Sequence, residues 1–196
     1  MRHQILPGLS LDHTMYEAAA AGLTAHAPGH ALTWAQFLDP TDWRLIPDPG
    51  PQPRAYKAER RLAIRPDGQM ITLHAWLLPD RRSNTATPHS HPWQFQSHIL
   101  LGGYTEQRYQ RINDHITVED ATHRYRDTNT VDLATFHEVV DLEPGPTITL
   151  MITGPAIERG RWGYLDPETG EFTPNRPAPD FTKRLAALNP HMPRTQ

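Results

Sequence analysis

Proline and glycine punctuate this sequence too densely for long helices or a parallel sheet crossed by helices: 20 prolines and 12 glycines are spread over 196 residues. Each proline fixes one backbone dihedral and removes one amide donor, so the chain must be built from short elements joined by turns. Short runs of alternating apolar and polar residues between those turns favour an all-β body. Such runs fall at 60–64, 69–78, 95–101, 104–112, 115–125, 131–140, 147–153, 162–165 and 171–173. Pro66-Asp-Gly68, Gly102-Gly103, Asn113-Asp114, Asp127–Asn129, Pro144-Gly-Pro146 and Asp166–Gly170 supply turns between them. Strands at this spacing point to a sandwich or barrel.

Two ends of the chain read differently. Residues 12–25 carry a capping aspartate, Asp12, ahead of alanine-rich helix formers, and 33–38 can form a short second helix that stops at Pro40. Ile46–Pro53, with its alternate prolines, is expected to be irregular. Asp180 can cap a last helix to Leu188, and Pro190–Gln196 is expected to be a mobile tail. The organisation expected is one domain: a helical arm and connector over 1–55, a β body over 56–175, and a helix and tail over 176–196.

Composition removes several functional classes. There is no cysteine, so disulfides, thiolate metal sites and cysteine nucleophiles are absent. A net charge of −3 and the lack of any Lys/Arg-rich run give no reason to expect nucleic acid or an anionic membrane as partner. No apolar stretch is long enough for a signal peptide or a span, so a cytoplasmic protein is expected. No phosphate-binding glycine loop, Gly-x-Ser-x-Gly elbow or His-Glu-x-x-His helix occurs.

The twelve histidines leave one concentrated signal, Pro88-His-Ser-His-Pro-Trp93, followed by an apolar strand and Gly102-Gly103. On extended backbone His89 and His91 point the same way and can reach one ion. This run resembles the first motif of the cupin superfamily, and Phe136-His137 is similar to the second. The resemblance implies a double-stranded β-helix or jelly-roll barrel in which His89, His91 and His137 hold one divalent metal ion. The motif's usual glutamate falls on Gln96, which leaves three neutral imidazoles. Such donors suit Fe(II), Zn, Ni, Co or Cu with open positions for substrate.

Within cupins the three-histidine set is similar to that of the thiol dioxygenases, over roughly 56–170. That likeness implies an iron-dependent oxygenase and a substrate-gripping arginine at Arg60 or Arg61. However, the Ser-x-His-x-Tyr run of those enzymes falls on Thr149, Met151 and Thr153, so their catalytic histidine and tyrosine are missing. The expected function is a metal-dependent enzyme acting on a small polar molecule, with a non-oxidative isomerase, dehydratase or hydrolase and a non-catalytic binding protein as alternatives. Glu106 and His98 are the proton-transfer candidates. Arg60, Gln96 and Tyr104 are the substrate-binding candidates, with Gln96 and His98 expected to share one face by strand parity. Pairing of two copies through edge strands is a further implication of the resemblance.

Overall fold

The computed structural model describes residues 1–48, 52–81, 83–113, 115–157, 161–176 and 179–192. Asp114, Pro49–Pro51 in the connector and the tail beyond Met192 lie outside the described residues. The chain opens with a hairpin, β1 (His3–Leu6) and β2 (Leu9–Leu11), then α1 (His13–His26) and α2 (Trp34–Phe37). The strands β3 (Trp43–Pro47), β4 (Ala55–Ile64), β5 (Met70–Trp76), β6 (Phe95–Leu101), β7 (Gly103–Ile112) and β8 (His115–Arg124) follow. The remaining elements are β9 (Thr128–Val131), β10 (Phe136–Leu142), β11 (Thr147–Thr153), β12 (Gly163–Leu165), β13 (Phe172–Pro174) and α3 (Phe181–Leu188).

Most of these elements match the sequence pattern to within a residue or two, but the expected closed barrel does not form among the described residues. Among the described residues the strands form a six-stranded antiparallel sheet in the order β3-β4-β5-β11-β6-β9 and a three-stranded sheet in the order β10-β7-β8, with β1-β2 and β12-β13 as separate pairs. The N-terminal segment is also more than a helical arm. Its hairpin and helices cover one face of the large sheet, and β3, including Ile46 and Pro47, becomes that sheet's edge strand. Pro47 is tolerated because edge strands can lack a ladder donor. The single strand expected over 131–140 is two strands. Asp132 breaks it by accepting from Ala134 N (3.0 Å) and Thr135 Oγ1 (2.7 Å), a local turn that competes with the ladder.

Cross-strand register sorts the large sheet into two faces, because residues directly opposite in an antiparallel pair share a face. One row runs Arg60–Leu73–Leu150–His98, and the next runs Glu59–His74–Thr149–Ile99. The first row faces α1, where Leu73 and Leu150 join Leu9, Leu11, Leu23, Phe37 and Trp43 in the main core. Burying each such side chain contributes about 1.5–3 kcal/mol. Met15, Ala19, Gly22 and Leu23 form the buried face of α1. A Cβ on Gly22 would stand 2.4 Å from Leu100 Cδ2, so glycine lets the helix lie against β6. The second row faces the three-stranded sheet, where Ile99, Tyr104 and Val139 form a smaller cluster with Trp76. Gly102, at φ +66°, makes the sharp passage from β6 to β7 that carries the chain from one sheet to the other.

The free edge of β3 is covered by the end of the chain. Asn189 Oδ1 accepts from Leu45 N (2.6 Å), and Asn189 Nδ2 donates to Leu45 O (2.8 Å) and Leu185 O (2.7 Å). His191 Nε2 lies 2.9 Å from Trp43 O. The start of the expected mobile tail is therefore anchored.

Candidate metal centre

The segment carrying His89 and His91 is extended but is not part of a regular strand. Its backbone is threaded between β10 and β12. His89 and His137 exchange backbone hydrogen bonds (N to O, 2.9 and 3.0 Å), Ser90 N donates to Gly163 O (2.8 Å), and Leu165 N donates to Pro88 O (3.0 Å). Pro88 and Pro92 keep the segment from extending into a full ladder. The reciprocal bonds set His89 directly opposite His137, so the two imidazoles share a face, and His91, two residues on, joins them. Ring centroids lie 4.9, 5.3 and 5.2 Å apart for the pairs 89–91, 89–137 and 91–137.

One ligand nitrogen from each of the three rings lies within 4.8 Å of the other two, and His91 Nε2 and His137 Nε2 are 3.0 Å apart. Two nitrogens each about 2.1 Å from a shared ion stand about 3 Å apart, so this spacing fits a metal. Burial, the largest influence on both, pushes the pKa of His89 down to about 4 and that of His91 well below its usual value. Both rings are therefore neutral at neutral pH, with a lone pair for coordination.

The tautomer of His137 is set by Glu106. Glu106 is fully buried and stands diagonally across the β10–β7 register from His137, whose direct partner is Arg108. His137 Nδ1 lies 2.6 Å from Glu106 Oε2 and donates its proton there, so that in the neutral ring the lone pair of Nε2 is the one turned toward His91. The same carboxylate accepts from Arg108 Nε (2.6 Å), Asn129 Nδ2 (3.1 Å) and His123 Nε2 (3.0 Å). Burial alone would raise its pKa, but the hydrogen bonds from His123, His137 and Arg108 hold it far below the usual carboxylate range. With four donors already on it, Glu106 is placed to orient His137.

The other sequence candidates divide by strand face. Tyr104 points inward; its hydroxyl accepts from Asn129 Nδ2 (2.9 Å), and its ring lies 5.7 Å from that of Trp76. Gln96, His98 and Arg60 sit on the opposite face from the histidines, because strand parity puts Phe95, Ser97 and Ile99 inward instead. Gln96 and His98 do share a face, as expected, but that face is turned to α1. Gln96 is exposed, and His98 stacks on His26 (3.8 Å between centroids) and bonds Thr128. Arg60 is buried on the α1 side and pairs with Asp42 (2.6 Å). Phe95, on the inward face of β6, packs against His91 (5.0 Å) and His137 (6.1 Å).

Three further residues on these strands and their connections carry no motif signal. Asn129 couples Tyr104 to Glu106 and also accepts from Arg108. Glu138, fully buried on the other face of β10, accepts from Tyr109 (2.9 Å), Arg81 and Thr87 N (3.2 Å), which ties down the approach to His89. Lys57 projects from β4 on the inward face, opposite Trp76. Thr149 and Thr153 hold structure: Thr149 Oγ1 accepts from Trp76 Nε1 (3.3 Å) and Thr153 Oγ1 from Met70 N (3.0 Å).

No protein-family model matches the sequence, and no curated protein matches it. Solved structures do resemble it. An RmlC-like cupin protein from Ralstonia eutropha JMP134 is 15% identical, with 82% of this chain and 85% of that one covered and a TM-score of 0.45. KdgF from Halomonas sp. is 18% identical over 58% of this chain and 86% of that one, with a TM-score of 0.38. The capsular polysaccharide assembling protein CapF from Staphylococcus aureus is 12% identical over 60% of this chain, with a TM-score of 0.40, and the match spans 31% of CapF. No described helix is long and apolar enough to cross a membrane. The chemistry of the site rests on its own side chains.

Proposed function

We propose that this chain is a metal-dependent enzyme of cupin type that acts on a small polar molecule between its two sheets, with iron-dependent oxygenation as the leading activity. The observation that carries the reading is the convergence of three ligand nitrogens from His89, His91 and His137 within 4.8 Å of one another. Neutral nitrogen donors without a carboxylate suit Fe(II), Zn, Ni, Co or Cu. A bound ion would supply Lewis acidity or, as iron, redox chemistry with dioxygen. The chain's own contribution is to orient and shield. Glu106 holds His137 with Nε2 forward, Phe95 closes one side with an apolar ring, and Tyr104 and Ser97 line the inward face. This assigns Glu106 a positioning role in place of proton transfer, and leaves His98, Gln96 and Arg60 outside the site.

A non-oxidative Lewis-acid reaction is the second reading. It is favoured by Thr149, Met151 and Thr153 at the catalytic positions of the thiol dioxygenases, since both threonine hydroxyls are engaged structurally. The test is elemental analysis of purified protein, followed by oxygen uptake after Fe(II) loading with small thiols and carboxylates. Iron binding with substrate-dependent uptake supports oxygenation. Tightly held zinc and no uptake supports the second reading, and failure to bind any of these metals refutes both in favour of a non-catalytic binding protein.

A further inference from the structure

The inward face of β4 and β5 carries a polar group that none of the roles above uses. Lys57, Glu59, His74 and Trp76 lie side by side there, by the pairs Lys57–Trp76 and Glu59–His74. Trp76 in turn reaches across to Tyr104, and Tyr104 connects through Asn129 and Glu106 to His137. The group thus stands in the same interior as the three histidines, on the facing sheet.

A lysine inside a protein is costly unless its charge is used or paired. Lys57 Nζ lies 5.3 Å from the ring centroids of both Tyr56 and Trp76, a favourable seat for an ammonium. Its carboxylate neighbour is only loosely engaged. Glu59 Oε1 is 3.4 Å away, while Arg44 binds the other oxygen at 2.6 Å. An ammonium has three protons to donate; the Tyr56 hydroxyl and, more loosely, Glu59 engage two of them, which leaves one for a ligand in the interior.

A second observation points to a ligand in the same place. His74 Nε2 is buried with no hydrogen-bond partner; Glu59 Oε1 stands 3.8 Å away, beyond hydrogen-bond reach. The His74 side chain is 4% exposed, and a buried nitrogen left unbonded is unfavourable unless something else meets it. Lys57 and Glu59 side chains keep 15% and 17% exposure although both face inward, so water-sized access reaches them.

We infer that Lys57, assisted by the open His74 Nε2, anchors the carboxylate of a small substrate whose reacting end lies at the three histidines. This rests on the metal-site reading and narrows its substrate class to small carboxylic acids. It also moves the cationic anchor from Arg60, which faces α1, to a residue three positions earlier on the opposite face. Lysine suits this role as a compact point charge on a flexible stem.

The chain has only two lysines, Lys57 and the exposed Lys183 on α3, which makes a direct test available. Protein made with isotope-labelled lysine gives two side-chain ammonium signals, assigned by Lys183→Arg. Succinate, malate, glycine and 3-mercaptopropionate, each beside its neutral amide, are titrated into metal-free and Co(II)-loaded protein. The expected result is a shift of the Lys57 signal alone, saturable with at least one acid and absent with its amide. Calorimetry should show that Lys57→Met weakens that acid by roughly tenfold or more, while Lys57→Arg weakens it less and Co(II) still binds both variants. If no acid moves the Lys57 signal in either form, or if Lys57→Met binds as tightly as the parent, the inference is overturned. Carboxylate binding through Lys57 in protein that binds no metal would instead uphold the anchor and sink the metal-site reading.

Discussion

Replacing Glu106 by glutamine tests the construction of the metal centre at its most connected residue. The substitution keeps size and shape, removes the charge, and exchanges one acceptor oxygen for an amide donor. Glu106 receives four hydrogen bonds, from His137, Arg108, His123 and Asn129. An amide can keep His137 or Arg108 satisfied on its oxygen but must turn donor protons toward the other pair. Losing a hydrogen bond to a charged group costs about 1.5–3 kcal/mol. Breaking one side of a buried ion pair costs about 3–5 kcal/mol, less here because the Arg108 side chain is 28% exposed and can turn to water. A loss of about 3 kcal/mol in urea-derived stability of the metal-free protein is therefore expected. Metal affinity should fall by about 10- to 100-fold, because His137 no longer has its Nδ1 proton fixed by a carboxylate. Chelator competition with Co(II) or Zn(II) measures that affinity, and circular dichroism confirms that the variant is folded. A folded Glu106→Gln protein with unchanged metal affinity would falsify the orienting role and leave the hydrogen bond to His137 as packing.

Three other perturbations separate the parts of the molecule. His91→Ala and His137→Ala should each abolish the tightly bound metal seen by elemental analysis, whereas His98→Ala, altered on the α1 face, should keep one ion per chain; equal loss in all three would contradict the strand-face assignment. Burial holds the pKa of His74 at about 3 against 6.5 when free, so the folded state binds fewer protons than the unfolded state between those values. Stability of the metal-free protein should fall as pH drops from about 6.5 toward 3, with His74 contributing up to about 1.4 kcal/mol per pH unit, and His74→Gln should flatten that slope in urea titrations. Asn189→Leu strands the backbone N–H and C=O of Leu45 and should cost about 2–4 kcal/mol in denaturant unfolding, with metal affinity untouched.

The strand pattern was readable because turn residues and alternation act locally. β6 and β11 match the ranges read from sequence, and β7 and β8 do so within a residue. The three histidines could be read because two of them sit at spacing two and the third follows a recognisable phenylalanine. The faces were harder. Parity correctly grouped Gln96 with His98, but parity alone does not say which of two faces meets the histidines. That depends on Gly102 folding β7 over one side and α1 occupying the other. The same ambiguity left Arg60 and Arg61 as alternatives for the inward cation; register turns Arg60 toward α1 and puts Arg61 on the inward face but exposed, with Lys57 the more enclosed cation there. Asn129, Glu138 and Asn189 have no local signature at all, since their partners lie 21 or more residues away in sequence, apart from the Leu185 contact of Asn189.

The carboxamide of Asn189 has a consequence for how copies of this chain meet. An outermost strand with open amides and carbonyls invites another strand to dock in register. Here the side chain of Asn189 plays the part of a one-residue neighbour to Leu45, and His191 takes the next open carbonyl at Trp43. A chain cut short before position 189 would bare that border, and self-association through β3 should follow as a rise in apparent mass with concentration. Asn189 and His191 thus serve as a selvedge, finishing the larger sheet so that it does not run on into the next molecule.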